Sequence, residues 1–553
     1  MKKIDIAILL FFILTSLFTL KDLFLPDFYT SHDGPHQIVR AYYYHQLLQE
    51  GQFPPRWVAG LNNGFGYPLF IFSYHLPWLL TEIFRLFGLS AITGVKMAFL
   101  SGFILSGITM YFFQKHLFSR FPAFVGTVIY LFAPFRFSNI FVRAAIGDAT
   151  AFIFPPLIFW SFDKLISDKK INYGWLILYA FSLTALLLSH AMVFFFYSVG
   201  LSVYGLYRLL LTENKINLIR ANLLAFILFI SYSAFYLLPS YFERSYTRFS
   251  QVMAGTFNNL SFLSLAKLIY SPWGYGTIDA RQGAMSLSIG FAQLAVVLMV
   301  FLLIVYFILN KNYRQKMFRG KIFIFFFIFL LSVYLMLPVS RPLWQIVSRY
   351  LFIDFNWRVL NLTVFTVSVL SGSLIYHFIK LNFKLTPVIA LFLISLSFYA
   401  NRNHLRINQQ LDWTVPFFLK LEKTTNSFDE YNPRWVNPQF ISENAPPVNF
   451  TADFSYQTTE NKSRSRKYLV NAFVDGIFTV NTLYYPGWTV YDSGRQIDID
   501  YQNRGLIEFP LSKGSHNLEI IFEKTPLRRF SDLLTFSSII LTVVYLFRKK
   551  FHA

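Results

Sequence analysis

The chain begins with the stretch MKKIDIAILLFFILTSLFTL, in which Lys2 and Lys3 precede a mostly apolar run at residues 4–20. A run of this length and polarity is typical of a helix that crosses a membrane. A secretory signal peptide has a similar pattern, but no small-residue cleavage site follows this run. We therefore predict an uncleaved first membrane helix, with both lysines on the cytoplasmic side.

Similar apolar runs recur along the rest of the chain. Of its 553 residues, 55% are hydrophobic and 14% are charged, whereas ordinary soluble domains carry about 25% charged residues. Its 67 phenylalanines and 33 tyrosines exceed what a soluble interior of this size could bury. The sequence predicts an all-α polytopic membrane protein with about twelve transmembrane helices. These helices are expected at residues 4–20, 91–114, 121–141, 149–166, 173–189, 191–210, 219–240, 288–310, 322–339, 358–379, 385–401 and 531–547.

The basic residues between these runs predict which side each loop faces, because cytoplasmic loops carry an excess of lysine and arginine. With the N-terminus inside, every short inward loop is basic. The residues concerned are Lys115, Arg120, Lys164, Lys169, Lys170, Lys215, Arg220, the cluster at 311–321, Lys380, Lys384, Arg548, Lys549 and Lys550. The apolar segment 69–88 would invert all later loops if it crossed the membrane, so we expect it to lie at the outer interface.

The outward segments include long loops at 21–90, 241–287 and 340–357, and they carry mostly arginine. A lysine ammonium suits a solvated face, whereas an arginine guanidinium can hold a phosphate or carboxylate through two parallel hydrogen bonds. Contacts with lipid headgroups or nearby acids would explain some of these arginines, but not easily all of them.

Residues 402–530 predict a separate domain outside the cytoplasmic membrane, following a membrane domain at 1–401. The alternation of apolar and polar residues that indicates strands occurs at 476–483, 488–491, 496–500, 505–509 and 517–522. Asp492-Ser493-Gly494 and Lys513-Gly514 supply turns. We expect an extracytoplasmic β-sandwich of jelly-roll or immunoglobulin type, followed at 531–553 by a last membrane helix and a basic cytoplasmic tail.

The first outward loop contains the most informative polar motif, Ser31-His32-Asp33-Gly34-Pro35-His36-Gln37. Asp33 follows soon after the first membrane helix, so its carboxylate is expected near the outer membrane surface. There it could deprotonate an incoming hydroxyl or hold a divalent cation, and His32 and His36 could add metal ligands or tune the acid. Alternatively, Asp33 could cap the following helix, since Asp is a favoured N-cap residue.

Two further outward segments place ionisable residues next to hydrocarbon, where such groups are often functional. Arg143 and Asp148 share a short loop between two apolar runs, either as functional groups or as a local ion pair that orders the loop. Arg358, in the motif Asp354-Phe355-Asn356-Trp357-Arg358, could bind a specific phosphate or reach any lipid headgroup. Weaker candidates are His190, in a tight outward turn, Glu243 and Asp279.

Several classes of function are excluded. The chain has no glycine-rich phosphate loop with lysine, no zincin motif and no nucleophile elbow, so an ATP-driven machine is not expected. The net charge of +21 is spread over short loops between apolar runs, which argues against a nucleic-acid partner. Because the chain has no cysteine, it forms neither a disulfide nor a thiolate metal site.

The acid after the first span, the long first outward loop, the many spans and the outward C-terminal domain together resemble the GT-C glycosyltransferase superfamily. The chain is similar to prokaryotic GT-C-like membrane proteins often labelled "6-pyruvoyl-tetrahydropterin synthase-related". Its Tyr484-Tyr485-Pro486-Gly487-Trp488 segment looks like the outer domain of YfhO-type membrane proteins. The other matching residues are His32, Asp33, His36, Arg40, Gly51, Phe53-Pro54-Pro55-Arg56-Trp57, Gly64-Phe65-Gly66-Tyr67-Pro68-Leu69-Phe70, Arg143, Asp148 and Trp357-Arg358.

Two departures from the family pattern are conservative: Phe65 replaces a common tyrosine and Asp148 a common glutamate. The chain lacks the His-x-His zinc cluster of pterin synthases, so the pterin label does not indicate an activity. The resemblance implies that Asp33 acts as general base or holds a divalent cation (Mg or Mn), with Asp148 as second acid. It further implies that Arg143 and Arg358 bind the donor phosphate. The other candidate substrate-binding residues are His32, His36, Arg40, Arg56, Trp57 and His190.

We therefore expect a membrane glycosyltransferase that moves a hexosyl or pentosyl group from a polyprenyl-phosphate donor. The acceptor would be a saccharide, lipid or protein on the outer face of the cytoplasmic membrane. The alternative is a lipid-linked saccharide transporter or a non-catalytic cell-envelope assembly factor. A carrier should hold its ionisable site near the bilayer midplane, often between repeats. The expected outer position of the acids and the lack of a visible repeat favour the enzyme.

Overall fold

The computed structural model describes residues 2–167, 170–253, 260–278, 280–318 and 320–551. Lys169 and Asp279, which are named above, and Arg319 of the cluster at 311–321 lie outside the described residues.

Helices form most of the described chain. They are α1 (Lys3–Thr19), α2 (Gly34–Gln49), α3 (Leu69–Phe72), α4 (Leu76–Arg85), α5 (Ala91–Leu117), α6 (Arg120–Leu131), α7 (Pro134–Phe137), α8 (Ile146–Ala151), α9 (Phe154–Ser167), α10 (Tyr173–Ser189), α11 (Ala191–Leu211), α12 (Lys215–Phe242), α13 (Phe249–Met253), α14 (Leu265–Ile269), α15 (Phe291–Leu309), α16 (Lys311–Phe318), α17 (Lys321–Met336), α18 (Arg341–Val347), α19 (Leu360–Lys380), α20 (Thr386–Asn401), α21 (Val415–Leu421) and α22 (Pro526–Phe551).

Seven helices among the described residues are long and apolar enough to cross a membrane. They are Ala91–Leu117, Ile146–Ser167, Ala191–Leu211, Lys215–Tyr246, Phe291–Leu309, Asn356–Lys380 and Pro526–Arg548. Two bent pairs raise the number to nine if each is one span: Arg120–Leu131 with Pro134–Val142, at 48°, and Lys321–Met336 with Pro338–Val347, at 84°. The second half of each pair begins at a proline, which cannot continue the helical hydrogen bonds. The chain is therefore a multi-pass membrane protein.

The predicted number of about twelve spans is not confirmed, although a helix occupies every predicted position. Three predicted spans coincide with short helices that are neither among the seven nor part of a bent pair: α1 and α10 have 17 residues each and α20 has 16. At about 1.5 Å per residue they fall short of a hydrocarbon core of roughly 30 Å. The predicted interfacial segment 69–88 contains only the short helices α3 and α4.

The described chain divides into two compact units. The first unit contains Met1–Gly34, Leu79–Ile230 and Thr256–Trp413, and the second contains Pro35–Trp78, Ser231–Gly255 and Thr414–Ala553. The C-terminal strands therefore share a unit with most of the first long loop, with a short middle segment and with the last helix.

The first unit is built around Asn356–Lys380, in which an apolar stretch of 18 residues is 94% buried. Small residues let neighbouring helices approach it closely. Ser368 donates a hydrogen bond of 2.6 Å to the Gly126 carbonyl, and Gln114 donates one of 3.0 Å to the Ser368 hydroxyl. A Cβ on Gly126 or Gly372 would collide with the Gln114 side chain. A two-stranded sheet of β1 (Phe28–Tyr29) and β2 (Gln410–Leu411) also belongs to this unit.

The second unit contains a β-sandwich of antiparallel strands. One sheet has the order β4-β5-β10-β7-β8 and the other β3-β6-β9. The strands are β3 (Val448–Phe450), β4 (Phe454–Lys462), β5 (Ser465–Ala472), β6 (Gly476–Leu483), β7 (Trp488–Asp492), β8 (Arg495–Ile497), β9 (Leu506–Leu511) and β10 (Gly514–Phe522). The inward side chains of both sheets form one core. Ser493 and Gly494 turn between β7 and β8 with positive φ, as the sequence predicts.

Candidate active site

A buried carboxylate, that of Asp148, is the centre of a polar cluster in the first unit. Its side chain is 1% exposed and lies in the first turn of α8, where the helix dipole favours a negative charge. Three cationic or potentially cationic side chains face its Oδ2 atom: Arg143 at 3.4 Å, His190 at 3.7 Å and Arg358 at 3.8 Å. Its Oδ1 atom accepts a hydrogen bond of 3.2 Å from Asn361. The structure thus brings together four residues that the sequence predicts as site residues.

The Arg143 side chain is fixed from two sides. It follows a turn of π-helix at Ser138–Val142 and donates a hydrogen bond of 2.6 Å to the Asn139 Oδ1 atom. Its guanidinium lies 4.8 Å from the centre of the Trp357 ring. The next residue, Ala144, has a φ of 53°, a left-handed conformation that costs energy for a residue with a Cβ. Such strain is often found at functional sites.

Arg358 reaches the cluster from the segment that begins the central helix. Its guanidinium forms a close ion pair with Asp354, four residues earlier. Asn361, three residues further on, donates hydrogen bonds to both the Arg358 carbonyl and Asp148. Tyr197 in turn donates to the Asn361 carbonyl at 2.8 Å. Arg358 is therefore shared between two carboxylates and held on a helix that is almost wholly buried.

Asp33 lies beside this cluster, and the backbone fixes its position. The Asp33 N–H donates to the Arg143 carbonyl at 2.8 Å, and the His32 N–H donates to the Val142 carbonyl at 3.0 Å. The Asp33 carboxylate is half-buried and, among the described residues, accepts no hydrogen bond and forms no ion pair. It therefore does not cap α2, which was the alternative interpretation. Its charge does interact electrostatically with Arg358.

Two histidines near this cluster, His32 and His190, have different environments. The His32 Nε2 atom is 3.0 Å from the Tyr275 carbonyl, so that nitrogen is the protonated one. His190 lies between α10 and α11 and is mostly buried. Burial lowers the pKa of His190 to about 4, although the Asp148 charge opposes this shift. The His190 imidazole is therefore neutral near pH 7.

Six of the buried polar atoms that have no hydrogen-bond partner among the described residues belong to this cluster or to residues beside it. Such atoms are rare in folded proteins, and each calls for an explanation. They are Asn139 Nδ2, both side-chain polar atoms of Asn356, Trp357 Nε1, Arg358 Nε and Asn361 Oδ1. Similar atoms occur elsewhere in the described chain, but here they lie beside the charged groups around Asp148, which suits a site that binds a polar ligand.

Four other predicted site residues belong to the second unit. His36 Nδ1 lies 2.5 Å from a carboxylate oxygen of Glu422. Arg40 donates hydrogen bonds to the Thr425 hydroxyl and to the carbonyl of the same residue. These contacts tie α2 to the segment that follows α21.

Arg56 and Trp57 are buried in the second unit. Arg56 forms two hydrogen bonds with Asp532, at 2.6 and 3.1 Å. Trp57 is fully buried against the rings of Trp488 and Phe522 in the sandwich core. The structure gives these two side chains packing and ion-pair contacts, and their predicted role in substrate binding stays a prediction.

Sequence reasoning missed Asn361 and Asn139. Asn361 follows Arg358 by three residues and Asn139 precedes Arg143 by four, so each shares a helical face with its arginine. That spacing was visible in the sequence. What it could not show is that both asparagines point at the same buried cluster.

The side chains around Asp148 do not fit a divalent cation. Arg143, His190 and Arg358 already surround its carboxylate with donors, whereas Mg²⁺ requires several oxygen ligands. In the part of the chain that the structure describes, no group of three or more His, Cys, Asp or Glu residues could hold a metal ion. The expected dependence on Mg or Mn therefore stays a prediction, and no chemical step is assigned to a metal.

No protein-family model matches the chain, and no curated protein matches its sequence. Several solved structures are similar to part of it. One is the arabinofuranosyltransferase AftD from Mycobacteria, with 10% identity and a TM-score of 0.46, covering 73% of this chain and 27% of that one. Another is the Archaeoglobus fulgidus oligosaccharyltransferase in complex with Zn and sulfate, with 13% identity and a TM-score of 0.45, covering 73% and 54%.

A third similar structure is ArnT from Cupriavidus metallidurans bound to undecaprenyl phosphate, with 14% identity and a TM-score of 0.30, covering 75% of this chain and 85% of that one. This chain spans about a quarter of the first of these three chains and about half of the second. No function follows from similarities at these TM-scores.

Proposed function

We propose that the protein is a membrane glycosyltransferase in which Asp33 is the general base and the Asp148 cluster binds the phosphate of a polyprenyl-phosphate sugar. One observation carries this proposal. The Asp33 carboxylate has no hydrogen bond or ion pair among the described residues, yet its backbone is fixed to Arg143 of the cluster. A fixed carboxylate with free lone pairs beside arginines suits a proton acceptor.

The reaction joins the acceptor hydroxyl to the donor sugar. Asp33 accepts the hydroxyl proton as the hydroxyl oxygen forms a bond to the anomeric carbon. The bond between that carbon and the phosphate oxygen breaks, and the leaving polyprenyl phosphate keeps the electron pair. It thereby gains one negative charge, which a guanidinium stabilises best when it is already positioned.

Arg143 and Arg358 are the side chains placed to stabilise that charge. Both guanidinium groups are nearly buried, at 5% and 9% side-chain exposure, so they act in a low dielectric where charge stabilisation is strong. Asp148 is a positioning residue because its carboxylate is buried and already surrounded by donors. We interpret it as the group that holds the arginines in place, instead of as a second proton acceptor.

The position of the cluster favours an enzyme over a lipid-linked saccharide transporter. Asp148 lies near the start of the apolar helix Ile146–Ser167, Arg358 near the start of Asn356–Lys380, and His190 immediately before Ala191–Leu211. All three therefore lie at helix ends, whereas transporters typically hold their substrate near the bilayer midplane. We further propose that this end faces the outside of the cytoplasmic membrane, with the N-terminus inside.

Replacement of Asp33 tests the proposal. Asp33→Asn keeps the shape of the side chain but cannot accept the proton, so we expect transfer to fall by about 10²–10⁴-fold. The purified protein would be incubated with a panel of polyprenyl-phosphate sugars, and sugar release and transfer would be measured. Donor affinity and thermal stability should change little, because the Asp33 carboxylate has no hydrogen-bond partner among the described residues to lose.

Asp27→Asn is the matched control, since it makes the same change six residues earlier in the same loop. The Asp27 carboxylate accepts a hydrogen bond of 3.0 Å from Gln410, which an asparagine can also accept. Transfer by this variant should remain near the wild-type rate. Wild-type transfer by Asp33→Asn would contradict the assignment of Asp33 as the base and remove the main support for an enzyme.

A further inference from the structure

The chain turns sharply where α17 ends. Lys321–Met336 and the following segment Pro338–Val347 meet at 84°, so if α17 crosses the membrane, α18 runs along the membrane plane. Trp344 fixes this geometry. Its side chain is buried, its Nε1–H donates to the Leu335 carbonyl at 2.9 Å, and its ring meets the Phe196 ring edge-on at 6.1 Å.

The apolar and polar side chains of α18 lie on opposite faces. Leu343, Ile346 and Val347 follow the i, i+3, i+4 spacing of one helical face, and Tyr350 continues that face in the next turn. Leu343 is 39% exposed, Ile346 58% and Tyr350 79%. The opposite face carries Arg341, Gln345 and Ser348. An amphipathic helix that leaves its apolar face uncovered is typical of a membrane–water interface.

The uncovered face of α18 continues the uncovered side of α17. Phe327, Leu330 and Tyr334 form an exposed stripe at helical spacing along α17, and Val339 at the bend is 64% exposed. The exposed side of a membrane-spanning helix faces hydrocarbon, since no water is present there. The exposed apolar side chains therefore continue from α17, which lies in the hydrocarbon, through Val339 to α18, which lies at the level where α17 leaves the membrane. The surface that α18 meets at that level is the lipid itself.

We propose that α18 is an interfacial anchor that lies flat in the lipid surface, with Leu343 and Ile346 in the lipid and Gln345 towards water. The apolar face of such helices enters the boundary between headgroups and acyl chains by about 5–10 Å. The anchor fixes the depth of the segment that follows it. Asp354 and Arg358 come soon after Leu351, so their ion pair is held at the level of the lipid phosphates. This inference does not depend on the proposed transferase activity.

The absence of cysteine from the chain allows a direct test with single cysteines. Ile346→Cys and Gln345→Cys place a bimane label on neighbouring residues of opposite faces, and both positions are exposed, so neither change disturbs packing. The labelled proteins would be reconstituted in phosphatidylcholine vesicles whose acyl chains are brominated near the headgroup. We expect lipid bromine to quench the label at position 346 several-fold more strongly than the label at position 345.

Two further positions calibrate the measurement. Phe327→Cys on the exposed side of α17 should be quenched by lipid brominated deep in the acyl chain, and Asn461→Cys in the β-sandwich should not be quenched. Equal quenching at positions 345 and 346, whether strong or absent, would contradict the interfacial anchor. An unquenched label at position 346 in an apolar environment would mean that a protein partner covers this face, and it would also overturn the inference.

Discussion

At the scale of single residues, the polar cluster of the first unit depends on the charge of Asp148. Asp148→Asn would leave Arg143 buried without its carboxylate, whereas Arg358 would keep Asp354. Breaking a buried ion pair in this way costs about 3–5 kcal/mol. We expect a clearly lower midpoint of thermal unfolding, followed by tryptophan fluorescence in detergent, together with weaker donor binding.

A second substitution separates the lost counter-charge from a general packing defect. Adding Arg143→Gln to Asp148→Asn removes the unpaired guanidinium, so the double variant should recover part of the lost stability. Donor binding should not recover, because Arg143 is proposed to contact the phosphate. An unchanged unfolding midpoint for Asp148→Asn alone would mean that the buried carboxylate does not hold the cluster together.

Arg358 and Arg56 were both predicted to bind substrate, and they have different surroundings in the structure. Lysine keeps the positive charge but loses the planar pair of donors that an arginine offers to a phosphate. We expect Arg358→Lys to weaken the affinity for a polyprenyl-phosphate sugar more than it lowers thermal stability. Arg56→Lys should do the reverse, because Arg56 is hydrogen-bonded to Asp532 inside the second unit. Equal loss of donor affinity in both variants would contradict this distinction.

The site residues show what local sequence can and cannot predict. Arg143 and Asp148 are five residues apart, so their pairing could be expected from the loop alone. His190 and Arg358 join them only because α8, the turn after α10 and the start of the central helix pack together, and no local pattern encodes that packing. The partner of Arg56 is equally remote in sequence, since Asp532 follows Arg56 by 476 residues.

At the scale of elements, some strands could be predicted from the sequence and others could not. The five predicted strands correspond to β6–β10, whose sequences alternate between apolar and polar residues, although β6 and β9 are buried at most positions. β5 was missed although its side chains do alternate between buried and more exposed positions. β4 was missed because almost all of its residues are exposed on both faces, so its sequence FSYQTTENK shows no alternation. β3 has only three residues, which is too short for any period to be recognised.

The last helix, α22, is tied to the second unit by a buried ion pair at its first turn. Arg528 Nε lies 2.9 Å from Glu243 Oε1 and Arg528 Nη2 lies 2.7 Å from Glu243 Oε2, and both side chains are almost fully buried. Glu243→Gln leaves the guanidinium without its counter-charge, so we expect a loss of about 3–5 kcal/mol of stability. Thermal unfolding of the full-length protein would measure it.

A surface ion pair of the same unit provides the control for Glu243→Gln. Lys467 and Glu519 are 2.6 Å apart on neighbouring strands, and both side chains are more than a third exposed. Exposed pairs contribute little to stability, so Glu519→Gln should leave the unfolding midpoint almost unchanged. Similar effects of the two substitutions would show that burial does not set the importance of the Glu243–Arg528 pair.

At the scale of the whole molecule, the open question is how many helices cross the membrane. The sequence predicts that residues 402–530 lie outside and that the lysine-rich segment near 311 lies inside. Three helices between them are candidate spans, α17, α19 and α20, whereas α18 has only seven residues and is too short to cross the membrane. An odd number of crossings places the two segments on opposite sides. Of the three, only Asn356–Lys380, which contains α19, is long enough by itself to span.

The two shorter helices decide the outcome. α17 and α20 have 16 residues each, about 24 Å at 1.5 Å per residue, and the segment after α17 turns away from its axis by 84°. If either helix entered and left on the same side, positions 311 and 461 would lie on one side of the membrane. The basic loops argue against this. If α20 did not cross, Lys380 and Lys384 would face outward on the side of the β-sandwich. If α17 did not cross, the lysines near 311 would lie on that side.

Labelling of single cysteines resolves this count. Lys311→Cys and Asn461→Cys would be treated in intact cells with a maleimide that cannot cross the membrane, and then again after permeabilisation. We expect position 461 to react in intact cells and position 311 only after permeabilisation, because all three intervening helices then cross. Reaction of both positions in intact cells would show that α17 or α20 is re-entrant. The reverse pattern would keep three crossings but invert the protein, and it would place the Asp148 cluster on the cytoplasmic side, where the proposed acceptor is not found.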